Sequence, residues 1–155
     1  MNWHPARRMA MRFALAAALS IMLVVSAGCL TQDERLLEPA AAADLMSRNR
    51  NNPDFVILDV RTPGEFRQGY IEGAVLLDYY AADFRERFAQ LDRDATIFLY
   101  CRSGNRSSHV LRMADELGFR SVYDLRGGIL AWKEAGLPLV KGGMKISSSP
   151  DSPDS

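Results

Sequence analysis

Two apolar runs, FVILDV (Phe55–Val60) and TIFLYC (Thr96–Cys101), constrain this chain most. Neither alternates polar with apolar residues, so neither suits a sheet with one wet face. Short continuous runs of this kind belong to strands covered on both sides, the setting of a parallel sheet. AVLL (Ala74–Leu77) and VYDL (Val122–Leu125) are shorter versions. Between the runs the spacing turns helical. Phe84, Phe88 and Leu91 share one face, as do Val110, Leu111, Ala114 and Leu117, and Gly118 stands where helices end. PAAAADLMSR (Pro39–Arg48) predicts a helix with proline in its first turn, and GGILAWKEAG predicts another, stopped by Gly136 with Pro138 behind it. Strands alternating with helices imply an α/β sandwich around a mainly parallel sheet. Such sheets bind ligands at the carboxyl ends of their strands, where Cys101 and Asp59 fall, with Arg61 two residues on.

The flanks of this core read differently. Arg7, Arg8 and Arg12 precede the apolar stretch FALAAALSIMLVV, and SAGC follows it. Basic, apolar and small residues in that order predict a secretory signal peptide over residues 1–28. The apolar stretch is short of the roughly 20 residues a membrane-spanning helix needs. VSAGC is similar to a bacterial lipobox, whose cysteine becomes the lipidated first residue, so Cys29 is the expected lipid attachment site. Ser26 departs from that pattern, and ordinary cleavage after Ala27 is the alternative. Leu30 is not the aspartate that commonly retains lipoproteins at the inner membrane, which leans toward the outer one. The expected protein is therefore exported to the periplasmic side of a bacterial membrane and held there by lipid; the alternative is a soluble periplasmic protein. Residues 29–36 read as a linker, residues 37–140 as one domain, and the Gly/Ser/Pro-rich residues 141–155 as a disordered tail. The linker reaches at most about 25 Å, which keeps the domain near the membrane surface.

Charge excludes one class of partner. Formal net charge is zero over 155 residues, and without residues 1–28 sixteen basic residues face nineteen acidic ones. A nucleic-acid binder normally shows a basic stripe, and none is expected here. Of the two cysteines, a lipidated Cys29 leaves Cys101 as the sole thiol. Any sulfur chemistry at Cys101 must then hand its product to another molecule. A Cys29–Cys101 disulfide is the alternative.

LYCRSGNRSSHVL places Cys101 where a strand turns directly into a helix beginning near Arg106. Backbone N–H groups of such a turn can form an anion-binding nest, and the helix adds its positive dipole end. Gly104 supplies conformational freedom, Asn105 tolerates a left-handed backbone, and Arg102 and Arg106 carry permanent charge. All of this favours thiolate over thiol without a general base. A base is scarce in any case: beyond the signal segment the chain has one histidine, His109, which reads as a solvated helix residue. Neither a Ser-His-Asp triad nor a His-rich metal site fits, and no metal ligands are expected.

LDVRTPGEFRQGYIEGA, YCRSGNRS and DLRGGILAWKEAGLP together resemble the start, active-site loop and end of a single-domain rhodanese, over about Leu37 to Pro138. The resemblance implies a three-layer sandwich on a five-stranded sheet and a sulfurtransferase that needs no cofactor. The position matching Cys101 would take sulfur from thiosulfate or a persulfide donor as a persulfide. The loop Arg102, Ser103, Gly104, Asn105, Arg106 and Ser107 would hold it and orient the anionic donor. A thiol, cyanide or protein acceptor would then remove the sulfur, giving ping-pong kinetics. Asp59 and Arg61 are supporting residues, Asp59 pairing with a nearby arginine or capping a turn, and Glu65 matches a structural position. GYIEGA stands where the family commonly has GHIPGA, so Tyr70 and Glu72 are departures that shape the turn beside the site. Three rival functions remain: a non-catalytic binding or regulatory module, a persulfide carrier for a protein partner, and a phosphatase or arsenate reductase-like enzyme. The last prefers a Cys-x5-Arg loop, whereas Cys101 and Arg106 are separated by four residues, a ring better suited to one sulfur atom than to a phosphate.

Overall fold

The structure, a computed structural model, describes residues 34–141. The elements run β1 (Leu36–Leu37), α1 (Pro39–Arg48), β2 (Phe55–Asp59), α2 (Pro63–Arg67), β3 (Val75–Leu76), α3 (Phe84–Ala89), β4 (Thr96–Tyr100), α4 (Asn105–Leu117), β5 (Ser121–Leu125) and α5 (Gly128–Glu134). The strands form one parallel sheet in the order β1-β5-β4-β2-β3.

The two apolar runs are its centre. Phe55 to Asp59 pair residue for residue with Thr96 to Tyr100. Because side chains alternate across a strand, β4 feeds two cores at once. Ile97, Leu99 and Cys101 join Phe88, Val110, Ala114 and Phe119 on the side covered by α3 and α4. Phe98 and Tyr100 join Ala42, Phe66, Ile71, Ile129 and Trp132 on the side covered by α1, α2 and α5. Helices thus cover both faces, and the α/β sandwich follows from strands with no polar face.

The helix ends carry the register of the loops. Gly118 is left-handed (φ 79°) beyond α4, and Phe119 N–H bonds the Ala114 carbonyl at 3.0 Å. At α2, Thr62 and Glu65 form a reciprocal capping box.

Several boundaries differ from the expectations. β3 holds only Val75–Leu76 of the AVLL run. α4 starts at Asn105, one residue before Arg106. Leu36, assigned to the linker, is a strand residue opposite Asp124, and the Arg35 carbonyl accepts the Asp124 N–H at 2.8 Å. A two-residue strand has no period to read, and α2 is a five-residue helix whose only signal is its cap. The signal segment, Cys29 and residues 142–155 of the tail lie outside the described residues.

Candidate active site

Cys101 follows the last residue of β4 and is 1% exposed. It is a free thiol whose sulfur accepts the Gly104 N–H at 3.1 Å. Gly104 adopts φ 95°, a left-handed conformation that turns the chain sharply into α4. The turn therefore wraps back over the sulfur it follows, and the positive end of α4 opens beside it.

The loop is held in shape from α5. Ile129 N–H bonds the Cys101 carbonyl at 2.9 Å, and Leu130 N–H bonds the Arg102 carbonyl at 3.2 Å. In a planar trans peptide the carbonyl and the next N–H point oppositely. Drawing both carbonyls toward α5 therefore turns the N–H groups of Arg102 and Ser103 away from it. Gly128 makes the approach possible: a Cβ there would lie 2.6 Å from the Cys101 carbonyl oxygen and the Arg102 carbonyl carbon.

The two loop arginines have separate fates. Arg102, Ser103 and Asn105 are exposed. Arg106 instead turns its guanidinium onto Glu65, with both bonds at 2.8 Å, and lies 5.6 Å from the Tyr80 ring centroid. The Arg106 bonds, with those from Thr62, hold the Glu65 carboxyl down at about 2 against its burial. The same bonds raise Arg106 further above its ordinary value. Arg106 is thus a brace between α4 and α2 as well as a charge beside the loop. Glu65 does double duty in the α2 capping box, and the T-P-G-E spacing of residues 62–65 was the sequence signal for it.

Asp59 and Arg61 form a buried pair, 0% and 3% exposed, with Arg61 Nε at 2.9 and 3.0 Å from the two carboxylate oxygens. Arg61 also donates to the carbonyls of Gly69 (2.9 Å) and Glu65 (3.3 Å). Its fork thereby ties the end of β2 to the α2 turn, which is the arginine-pairing expected of Asp59. Tyr100 closes this cluster: its hydroxyl accepts the Ile71 N–H at 3.1 Å. Burial, then the Asp59 charge, push that hydroxyl above its ordinary range. Tyr70 stacks on Phe66 with centroids 4.0 Å apart, inside the core rather than toward Cys101. His109 is exposed on α4, with Nδ1 2.7 Å from Arg112 Nη2.

Ser107 is wholly buried behind the sulfur, its Oγ 3.5 Å from Cys101 Sγ and 3.2 Å from the Gly104 carbonyl. Sequence reasoning grouped it with the exposed loop residues, whereas the first turn of α4 rotates it inward. Asp124 was missed altogether. It is a carboxylate 1% exposed near the end of β5, and its sequence signal was an acid within the apolar VYDL run.

Comparison with known proteins agrees with this geometry. The rhodanese-like domain family matches residues 42–135. A sulfurtransferase of Allochromatium vinosum is 36% identical over 96 residues, covering 62% of this chain and 88% of that protein. An uncharacterized protein of Synechocystis sp. is 35% identical over 100 residues, 64% of this chain and 55% of its own length, so the chain spans about half of that relative. Among solved structures, a rhodanese-related protein of Thermoplasma volcanium superposes with a TM-score of 0.56 at 32% identity, over 68% of this chain and 97% of that one. Sheet order, strand-end cysteine and family match coincide on the same residues, and the chain belongs to the rhodanese-like domain family.

Proposed function

We propose that this protein is a sulfurtransferase that carries sulfane sulfur as a persulfide on Cys101. The observation that carries the reading is the Gly104 N–H aimed at Cys101 Sγ from 3.1 Å, at the junction of a strand end and a helix start. A donor-lined turn at a helix N-terminus favours negative sulfur. The Cys101 thiolate attacks the outer sulfur of thiosulfate; a sulfur–sulfur bond forms on Cys101, and sulfite leaves with the electron pair of the broken one. An acceptor lone pair, cyanide in the simplest case, then takes the outer sulfur, and the bonding pair returns to Cys101 Sγ. Exposed Arg102 and Ser103 stand where an incoming anion meets the loop. Arg106 contributes mainly by bracing the loop against α2, since its fork is occupied by Glu65.

Incubation of the domain with thiosulfate should add one sulfur atom to the intact mass, absent in Cys101→Ser. Wild type that gains no sulfur but hydrolyses an aryl phosphate overturns the proposal.

The protein works, in this reading, on the periplasmic side of a membrane, exported by residues 1–28 and anchored through lipid on Cys29. Cys29→Ser should move the full-length protein from the membrane to the soluble fraction. Unchanged fractionation removes the lipid anchor from the proposal.

A further inference from the structure

Among the described residues two large apolar side chains stand exposed, Tyr80 at 69% and Leu130 at 44%. A single such side chain on a surface carries no meaning. These two border the same loop. Leu130 opens from α5, and its N–H grips the Arg102 carbonyl at 3.2 Å. Tyr80, on the turn between β3 and α3, lies with its ring centroid 5.6 Å from the Arg106 guanidinium. Cys101 follows β4, which stands between β3 and β5 in the sheet.

Tyr80 is also fixed in place. Its N–H bonds Asp78 Oδ1 at 3.0 Å, and its ring meets Tyr79 edge-on at 5.4 Å. Tyr79 in turn packs on Phe84 of the core, and the Arg106 that Tyr80 touches is held by Glu65. A fixed, exposed ring beside an arginine has the make-up of a binding anchor, because little rotamer freedom is left to lose on contact. Thiosulfate and cyanide are too small and hydrophilic to use it.

The spacing sets the size of what fits. β5, which leads into α5, and β3, which leads into the Tyr80 turn, are three positions apart in the sheet. At about 4.8 Å per strand their ends are about 14 Å apart. An extended peptide spans that in about four residues, at about 3.3–3.6 Å each. In such a peptide the residues two positions before and after a cysteine point to the same face as the cysteine. A low-mass thiol whose sulfur meets Cys101 reaches one side only. Arg102, next to Cys101, is exposed and makes no ion pair among the described residues, so a carboxylate complements it.

We propose that Tyr80 and Leu130 are the two apolar anchors of a docking surface for an extended, acidic segment of a partner protein. That segment presents a cysteine to Cys101, with an apolar residue two positions to either side. The proposal rests on the sulfur-transfer reading and names its acceptor. The partner thiolate, its proton lost to solvent, attacks the outer sulfur of the Cys101 persulfide. A sulfur–sulfur bond forms on the partner, the bond to Cys101 Sγ breaks, and its electron pair returns to Sγ.

The first test needs no sulfur transfer. The peptides acetyl-Leu-Asp-Cys-Ser-Leu-amide and acetyl-Ser-Asp-Cys-Ser-Ser-amide are each activated as the thionitrobenzoate disulfide, and Cys101 releases thionitrobenzoate by exchange. Wild type should react about ten-fold faster with the leucine peptide. That preference should shrink about three- to ten-fold in Tyr80→Ser and in Leu130→Ser, as expected for one apolar contact, and persist in Tyr80→Phe. The second test is turnover with thiosulfate. Leu130→Ser should raise KM for the leucine peptide about three- to ten-fold and leave KM for cyanide unchanged. Equal exchange rates for the two peptides in wild type overturn the proposal. So does a KM for 2-phenylethanethiol as low as that for the leucine peptide, which makes the acceptor a low-mass thiol. A leucine preference lost in both serine variants upholds the surface even if thiosulfate never loads Cys101, in which case the sulfurtransferase reading alone falls.

Discussion

Asp124 shows how one buried side chain sets a pH dependence for the whole protein. Its carboxyl is raised from 3.8 to about 7, so between those values the folded protein holds a proton that the unfolded chain releases. Stability should therefore fall as pH rises through that window and level off above it. Asp124→Asn has nothing to ionise and should escape the loss. Urea unfolding should find the variant gaining on wild type from pH 4 to pH 7, by up to about 4 kcal/mol. A constant difference between variant and wild type across that window would contradict the assignment. Tyr70 and His109 make the opposite point about single residues: both drew notice in the sequence, and the structure gives one to the core and the other to solvent. An unusual residue type in a motif signals a site only when its side chain can reach the reacting atom.

The elements differ in how openly the sequence announced them. β2, β4, α1 and α4 each carry a periodic or continuous apolar signal, and each lies where that signal put it. β1 and α2 do not, because two strand residues and five helical ones cannot show a period. The loop at Cys101 was legible from its composition; the partners that shape it come from α2 and α5, and pairings between distant segments leave no local trace. α2 is the element with the most consequence for its length. Its Glu65 both closes the capping box and anchors Arg106, and its carboxyl is lowered from 4.5 to about 2. The stability this contributes is complete above pH 4.5 and disappears as pH falls toward 2. Glu65→Gln should cost about 1–2 kcal/mol at neutral pH, after allowing for partial solvent screening, and almost nothing near pH 2. A cost that is equal at both pH values would mean that packing, not charge, ties α2 to the loop.

Among the described residues the domain is a sheet with two cores, and β4 belongs to both: Leu99 faces one layer and Tyr100 the other, with Cys101 next in line. Cys101 packs in the α3/α4 layer, while the loop that follows it is gripped by α5 from the other. Gly128 offers the cleanest check, being far from Cys101 in sequence and against it in space. Its φ of 60° alone costs an alanine about 1–2 kcal/mol, and the added Cβ would press on the Cys101 and Arg102 backbone. Gly128→Ala should keep the far-ultraviolet circular dichroism of the sheet yet slow iodoacetamide alkylation of Cys101 at least about ten-fold; unaltered alkylation would show that α5 does not shape the loop. The two N–H groups of Ile129 and Leu130 that grip this loop also impose an order of assembly. A growing chain acquires its cysteine well before it acquires the helix that folds the loop around it. Until α5 docks, the Cys101 and Arg102 carbonyls lack the two N–H groups that hold the loop in shape. The loop around Cys101 is thus completed only by a segment that the chain supplies near the end of the domain.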